Sequence, residues 1–268
     1  MSTDATTVAT PLPRSWKLAD STRDRLISIA SPIILLLIWE IAARTGLIDT
    51  RFFPAPSSIF QTLVSLGSTG ELWQHTSASL QRLALGFLVG GIPALVLGII
   101  MGLSRPVRAV FEPLIAATYP IPKSSILPLA LLIFGLGEGS KIFMVAVGVF
   151  FPVAINATTG VLEINKIYLD VGRNFKASRW NTFRTIALPG ALPVIMTGIK
   201  LGVGMGLVLI AIAEMMGAKS GLGYMIWAAW ETFSVEQMYV GLFVIAIIGF
   251  VLTLVLNEIE KRLVPWKR

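Results

Sequence analysis

The groups that could do chemistry in this chain are few and unusually placed. His75 is the single histidine, and there is no cysteine among the 268 residues. Thiol nucleophiles and Cys/His metal centres therefore have nothing to be built from, and no catalytic or metal-ligating residue is expected. Lone charges instead sit in or beside long apolar runs: Glu40, Arg82, Lys123, Lys200 and Glu214. A charge deep in a bilayer costs about 2.5–3.5 kcal/mol on insertion scales, so each needs water, a counter-ion or carbonyl partners. For Glu40, Lys200 and Glu214 snorkelling or ion pairing is expected, with Glu40 and Glu214 near the outer ends of their spans. His75 falls in an outer loop. Lys123 lies in TYPIPKSSILPL, where Pro120, Pro122 and Pro128 leave backbone carbonyls without donors. Two roles stand open for it: a cation lining an anion's route together with Ser124 and Ser125, or a structural group that snorkels or caps those freed carbonyls.

A second, charged constellation is DVGRNFKASRWNTFRTIALPGALP, residues 170–193. Just before and within it, Ile164, Ile167, Val171 and Phe175 recur at the spacing of one helical face, with Asp170, Arg173 and Asn174 on the other. Ser178 has the chemistry of an N-cap for a second helix starting at Arg179, and Pro189 is placed to stop or bend that helix. Nothing here is a nucleophile or a phosphate loop. The block offers a short amphipathic surface joined rigidly to the apolar run that follows.

The elements that carry these residues follow from hydropathy. The chain is 54% hydrophobic and 14% charged, far from soluble composition. Six runs are long enough to cross a hydrocarbon core of about 30 Å: 26–43, 83–103, 113–137, 142–162, 186–213 and 238–256. They lack period-two alternation, so helices are expected. The fold class is an all-α polytopic membrane protein with about six transmembrane helices.

Charge sets the orientation. With the N-terminus cytoplasmic, that side receives Arg14, Lys17, Arg23, Arg25, Arg105, Arg108, Lys166, Arg173, Lys176, Arg179, Arg184, Lys261, Arg262, Lys267 and Arg268. The other side receives Arg44, Arg51, Lys141 and Lys219. Fifteen against four is a positive-inside bias that puts both termini and the 170–193 block in the cytoplasm. The basic residues flank apolar runs, so the net charge of +7 speaks for membrane orientation and against nucleic acid. The expected organisation is a cytoplasmic segment 1–25, a transmembrane domain 26–260 with a cytoplasmic loop at about 163–185, and a tail 261–268. Residues 16–29 are expected to approach the membrane as an amphipathic helix.

Two further features are local. After FFPAPSSI, residues Ile59, Phe60, Leu63 and Val64 give one greasy face to a short helix capped by Ser57 or Ser58, expected to lie on the outer leaflet. Gly86, Gly90, Gly98 and Gly102 have the spacing that lets two helix backbones approach closely.

The 170–193 block resembles the cytoplasmic loop of importer permeases of the ATP-binding-cassette class, whose pattern is Glu-Ala-Ala, three residues, Gly, nine residues, Ile-x-Leu-Pro. Asp170, Val171 and Gly172 take the first three places, Lys176 the glycine place, and Ile186, Leu188 and Pro189 the end. Asp stands for Glu and Lys for the glycine; such a Lys either accepts φ above zero or the turn takes another geometry. The similarity extends through SLQRLALGFLVGGIPALVLGIIMGLS, LPLALLIFGLGEGSK, LPGALPVIMTGIKLGVG and AEMMGAKSGLGYMI, and covers roughly residues 33–266, in the nitrate, sulfonate and taurine branch.

The resemblance implies a multi-pass protein of the bacterial plasma (inner) membrane that pairs with a second copy of itself. Two cytoplasmic ATPase subunits carry the ATP and Mg, an extracytoplasmic binding protein delivers a small anion (an alkyl sulfonate, taurine, nitrate or bicarbonate), and no cofactor binds this chain. It implies that Asp170, Val171, Gly172, Arg173, Asn174, Phe175, Lys176, Ala177, Ser178, Arg179 and Trp180 form a coupling helix and its turn, seated in a cleft of the ATPase. The rival classes are a membrane-embedded enzyme, which would need convergent polar groups within the spans, and a passive channel or anchor, which would not need the loop's spacing.

Overall fold

Apolar runs without β-type alternation become helices, and the computed structural model describes residues 15–266, with the side chains of 15–22, 25, 29, 166, 169, 173 and 179 outside the description. In chain order the α-helices are α1 (Ser15–Arg44), α2 (Pro56–Thr69), α3 (Glu71–Leu103), α4 (Arg105–Thr118), α5 (Leu127–Phe134), α6 (Glu138–Leu162), α7 (Lys166–Asn174), α8 (Arg179–Thr182), α9 (Leu188–Met215), α10 (Leu222–Glu231) and α11 (Val235–Leu263). No strand occurs among the described residues. Among the described residues, five helices are long and apolar enough to cross a membrane, or six if the bent pair α4 and α5 is one span. The chain divides into two units, Met1–Ile59 and Phe60–Arg268.

In the first unit, the segment expected to approach the membrane is helical and continuous with the first span as α1. Arg14 precedes the described residues, as Lys267 and Arg268 follow them. Glu40 is ion-paired, as expected, with Arg44 one turn on. It also does the capping expected of Ser57 or Ser58. Its carboxylate accepts from the Ser57 backbone N–H at 2.9 Å and from the Ser57 hydroxyl at 2.8 Å, since Ser57 lies inside the first turn of α2. A carboxylate at a helix N-terminus satisfies orphan donors and complements the helix dipole. In the loop between, Arg51 donates to Asp49 from its guanidinium and backbone, which holds the Asp49 carboxyl below its usual range.

The second unit is built on α3, α6 and α9. Leu83, Ala94, Met101, Val145, Val149, Val153 and Ile210 form a buried cluster among them, and Ala157, Val161, Ala191 and Ile195 form another. The four glycines of α3 lie where the spacing put them: a Cβ on Gly86 or Gly90 would strike Val145 or the backbone of Ala146, and one on Gly98 or Gly102 would strike Ala154 and Ala157 or Val161. The helices meet at backbone distance because these side chains are absent.

Three expectations need correction. The second span begins at Glu71, twelve residues before the apolar run, so His75 is in a helix and not in a loop, and Arg82 lies within the span; the polar first turns are stabilised by partners described below. The third span is not one helix: α4 and a 3-10 turn leading into α5 meet at 91°, because Pro120 and Pro122 cannot donate the bonds that would continue α4. Pro189 does not stop the helix that begins at Arg179 where it enters the fifth span. Residues 183–187 form a π-helical turn in which Leu188 N–H reaches the Phe183 carbonyl, and the helix runs on unbroken from Trp180 to Met215. Between α9 and α11, the apolar stretch Leu222–Glu231 folds as α10, too short to be counted as a span.

Candidate functional site

The 170–180 constellation forms helix, turn and helix as its spacing suggests. The turn keeps the geometry a glycine would give: Lys176 has φ 51, Ala177 N–H bonds the Gly172 carbonyl at 2.9 Å and Phe175 N–H bonds Val171 at 3.1 Å. This is a Schellman C-cap with a lysine in the left-handed position, so the alternative of a different turn is overturned. Ser178 caps the next helix, its hydroxyl accepting from Asn181 N–H at 3.2 Å. Gly172 is buried beside Ile186 and Thr182. Ile167, Val171 and Phe175 turn outward, Phe175 being 82% exposed. Asp170, Asn174, Lys176, Ala177, Ser178 and Trp180 are also exposed; Trp180 stacks on Phe183 with ring centroids 5.7 Å apart. The side chains of Arg173 and Arg179 lie outside the described residues. The apolar face thus forms a solvent-facing surface, where the sequence pattern alone did not say what it would meet.

Lys123 opens the 3-10 turn at the 91° bend. Its ammonium donates to the carbonyls of Thr118 and Tyr119, each at 2.9 Å, and of Ile121 at 3.0 Å. The Phe151 ring lies below it, 3.9 Å to the centroid. All three protons have partners and the ring face adds cation–π attraction, which answers the burial cost. Ser124 and Ser125 are exposed on the same turn.

A third constellation escaped sequence reasoning. Glu214 is fully buried, not close to water as its position near the span's end implied. It pairs with Arg82 Nη1 at 2.8 Å and accepts from Ser79 Oγ at 2.8 Å and from Gly223 N–H at 3.0 Å. Arg82 extends the network, gripping Glu138 through Nε at 2.6 Å and Nη2 at 2.7 Å and the Ser220 carbonyl at 2.7 Å. Lys141, 1% exposed, donates to the carbonyls of Leu136 and Gly217. His75 Nδ1 accepts from Gly221 N–H at 3.1 Å. The charges balance, two cations against two carboxylates. Gly221, at φ 114, has no room for a Cβ against the Glu214 carboxylate. The available signal was a lone Arg and a lone Glu in separate apolar runs, with glycines 217, 221 and 223 following the Glu. Lys200, the remaining lone charge, is ion-paired with Glu260.

Comparisons with known proteins bear on these sites. Residues 94–268 match the family described as binding-protein-dependent transport system inner membrane component. The chain is 36% identical over 256 residues to the taurine transport system permease protein TauC of Escherichia coli, covering 94% of this chain and 92% of that one. It is 32% identical to the putative aliphatic sulfonates transport permease protein SsuC of Bacillus subtilis, over 88% of this chain and 86% of the relative. Among solved structures, an inward-facing MetNI methionine ABC transporter aligns with a TM-score of 0.60 at 18% identity, covering 72% of this chain and 97% of that one; the likeness is one of fold.

Proposed function

The chain belongs to the binding-protein-dependent transport system inner membrane components and is a multi-pass transport permease, not an enzyme, whose ATP is hydrolysed on separate subunits and whose cargo arrives on a binding protein; from that premise we propose that it imports taurine or a related small sulfonate. The relatives named for taurine and aliphatic sulfonates support the cargo class. The observation that carries the mechanism is the outward-facing apolar surface of Ile167, Val171 and Phe175 on a short helix joined to the span Trp180–Met215. Residues Asp170 to Trp180 are the coupling element. α7 seats in a cleft of the ATPase, and closure of the ATPases on ATP and Mg moves the fifth span. This chain binds no cofactor itself.

Two copies flank one pathway above two ATPases, with lipid around them, and both termini face the cytoplasm of the bacterial inner membrane. Along the pathway, the exposed Ser124 and Ser125 hydroxyls meet the sulfonate, and the neighbouring Lys123 charge contributes a favourable field while its protons stay on the backbone. Uptake of taurine into vesicles holding permease, ATPase and loaded binding protein tests the reading. Asp170→Lys and Ser178→Pro should insert normally and lose uptake. Undiminished uptake in both contradicts the coupling assignment, and uptake of another anion in place of taurine contradicts the cargo.

A further inference from the structure

The coupling element and the buried ion network lie at the two ends of one helix. That helix runs unbroken over the 36 residues Trp180–Met215, about 54 Å at 1.5 Å per residue. At its far end Glu214 touches two other elements at once, α3 through Ser79 and Arg82 and the start of α10 through Gly223. The first three backbone donors of α10 are all taken by side chains of this group: Gly221 N–H by His75, Leu222 N–H by Ser79 Oγ at 2.8 Å, and Gly223 N–H by Glu214. A helix start buried at such depth has no water to replace a lost partner, so α10 has one satisfied position relative to α9 and α3. Glu214 and Arg82 are 0% and 4% exposed, which makes their bonds stiff where exposed ion pairs would be soft.

We propose that Glu214, Arg82 and Ser79 are positioning residues for transport: they lock α10 to the far end of the span that the coupling element drives, so that motion imposed at the cytoplasmic turn arrives at α10. This rests on the coupling reading above, and α9, α10 and the adjoining part of α3 then move as one body.

Plain structural glue and a motion-transmitting lock differ in what they do to the ratio of cargo moved to ATP consumed. Glu214→Gln keeps the side chain's size and one acceptor oxygen, and removes the second acceptor and the charge that holds Arg82. Ser79→Ala removes the shared hydroxyl, and Ser79→Thr restores it. With taurine-loaded binding protein and complexes matched for ATPase content, taurine moved per ATP should fall about tenfold in Glu214→Gln and about threefold in Ser79→Ala, and recover in Ser79→Thr. ATP hydrolysis should stay within about twofold of the unmutated complex in each.

A second readout needs no cargo. The chain lacks cysteine, so spin labels at Met216→Cys and Glu231→Cys report the distance between the far end of α9 and the end of α10. That distance should be the same with and without ATP in the parent and should shift or broaden with ATP in Glu214→Gln. Unchanged ratios together with unchanged distances overturn the proposal, as does loss of transport and hydrolysis in parallel. If the coupling reading itself is wrong, Ser178→Pro transports normally whatever Glu214→Gln does.

Discussion

Lys176 holds a left-handed backbone, φ 51, at the place where a helix end most often uses glycine. A Cβ there costs about 1 kcal/mol, so Lys176→Gly should stabilise the turn by about that much. Amide hydrogen exchange over 170–180 should slow by about fivefold; unchanged or faster exchange would show that the lysine side chain contributes more than its backbone costs. Lys123 is the opposite case, a charge that repays its burial. Its protons go to three carbonyls at the 91° bend, of which Thr118 also accepts from Ile121 N–H at 3.3 Å, so Lys123→Met should lower stability by about 1–3 kcal/mol per group left unpaired, less whatever water recovers. Lys123→Glu should be worse, with a carboxylate set against carbonyl oxygens. Thermal unfolding of the purified complex reads both, and a Met variant as stable as the parent would remove the clamp role. The sequence revealed the prolines that free these carbonyls and the cation beside them. It left open whether the cation serves cargo or backbone, because that depends on where the chain turns.

Among elements, the contact of α3 with α6 is the tightest test of packing. Gly90→Ala adds one methyl group directed at the Ala146 backbone, which cannot rotate away, whereas Gly204→Ala on α9 meets nothing within 4 Å. The first should cost about 2 kcal/mol or more and lower the yield of folded protein; the second should fold as the parent does. Equal yields would mean that α3 and α6 are not in backbone contact. Spacing alone made this contact legible, because small residues every four positions have few other uses in an apolar helix. Other elements were less legible for physical reasons. A hydropathy window joins 113–137 into one run because it does not register which backbone donors are missing, yet Pro120 and Pro122 break the helix. The stretch 222–231 is apolar but too short to span, and its helical start depends on His75, Ser79 and Glu214 from distant parts of the chain.

For the whole molecule, the proposed pathway lies between two copies of this chain. Mass measurement of the detergent-solubilised complex should give two copies of this chain with two ATPases; one permease chain per two ATPases would contradict the arrangement. The class and the helix, turn and helix of 170–180 were readable because both are local: apolar length for the spans, fixed spacing for the loop. The ion network was not, since Arg82 and Glu214 lie 132 residues apart and one sequence carries no record of which charges meet. The central claim is that the exposed face of α7 is where ATPase work enters this protein. The most direct measurement replaces two of its apolar residues together, Val171→Lys and Phe175→Lys, and assays membrane insertion, ATPase co-purification and taurine uptake in one preparation. The chain should insert normally, the ATPase should no longer co-purify and uptake should fall to background. Recovery of the ATPase in parental amount with undiminished uptake would contradict the claim.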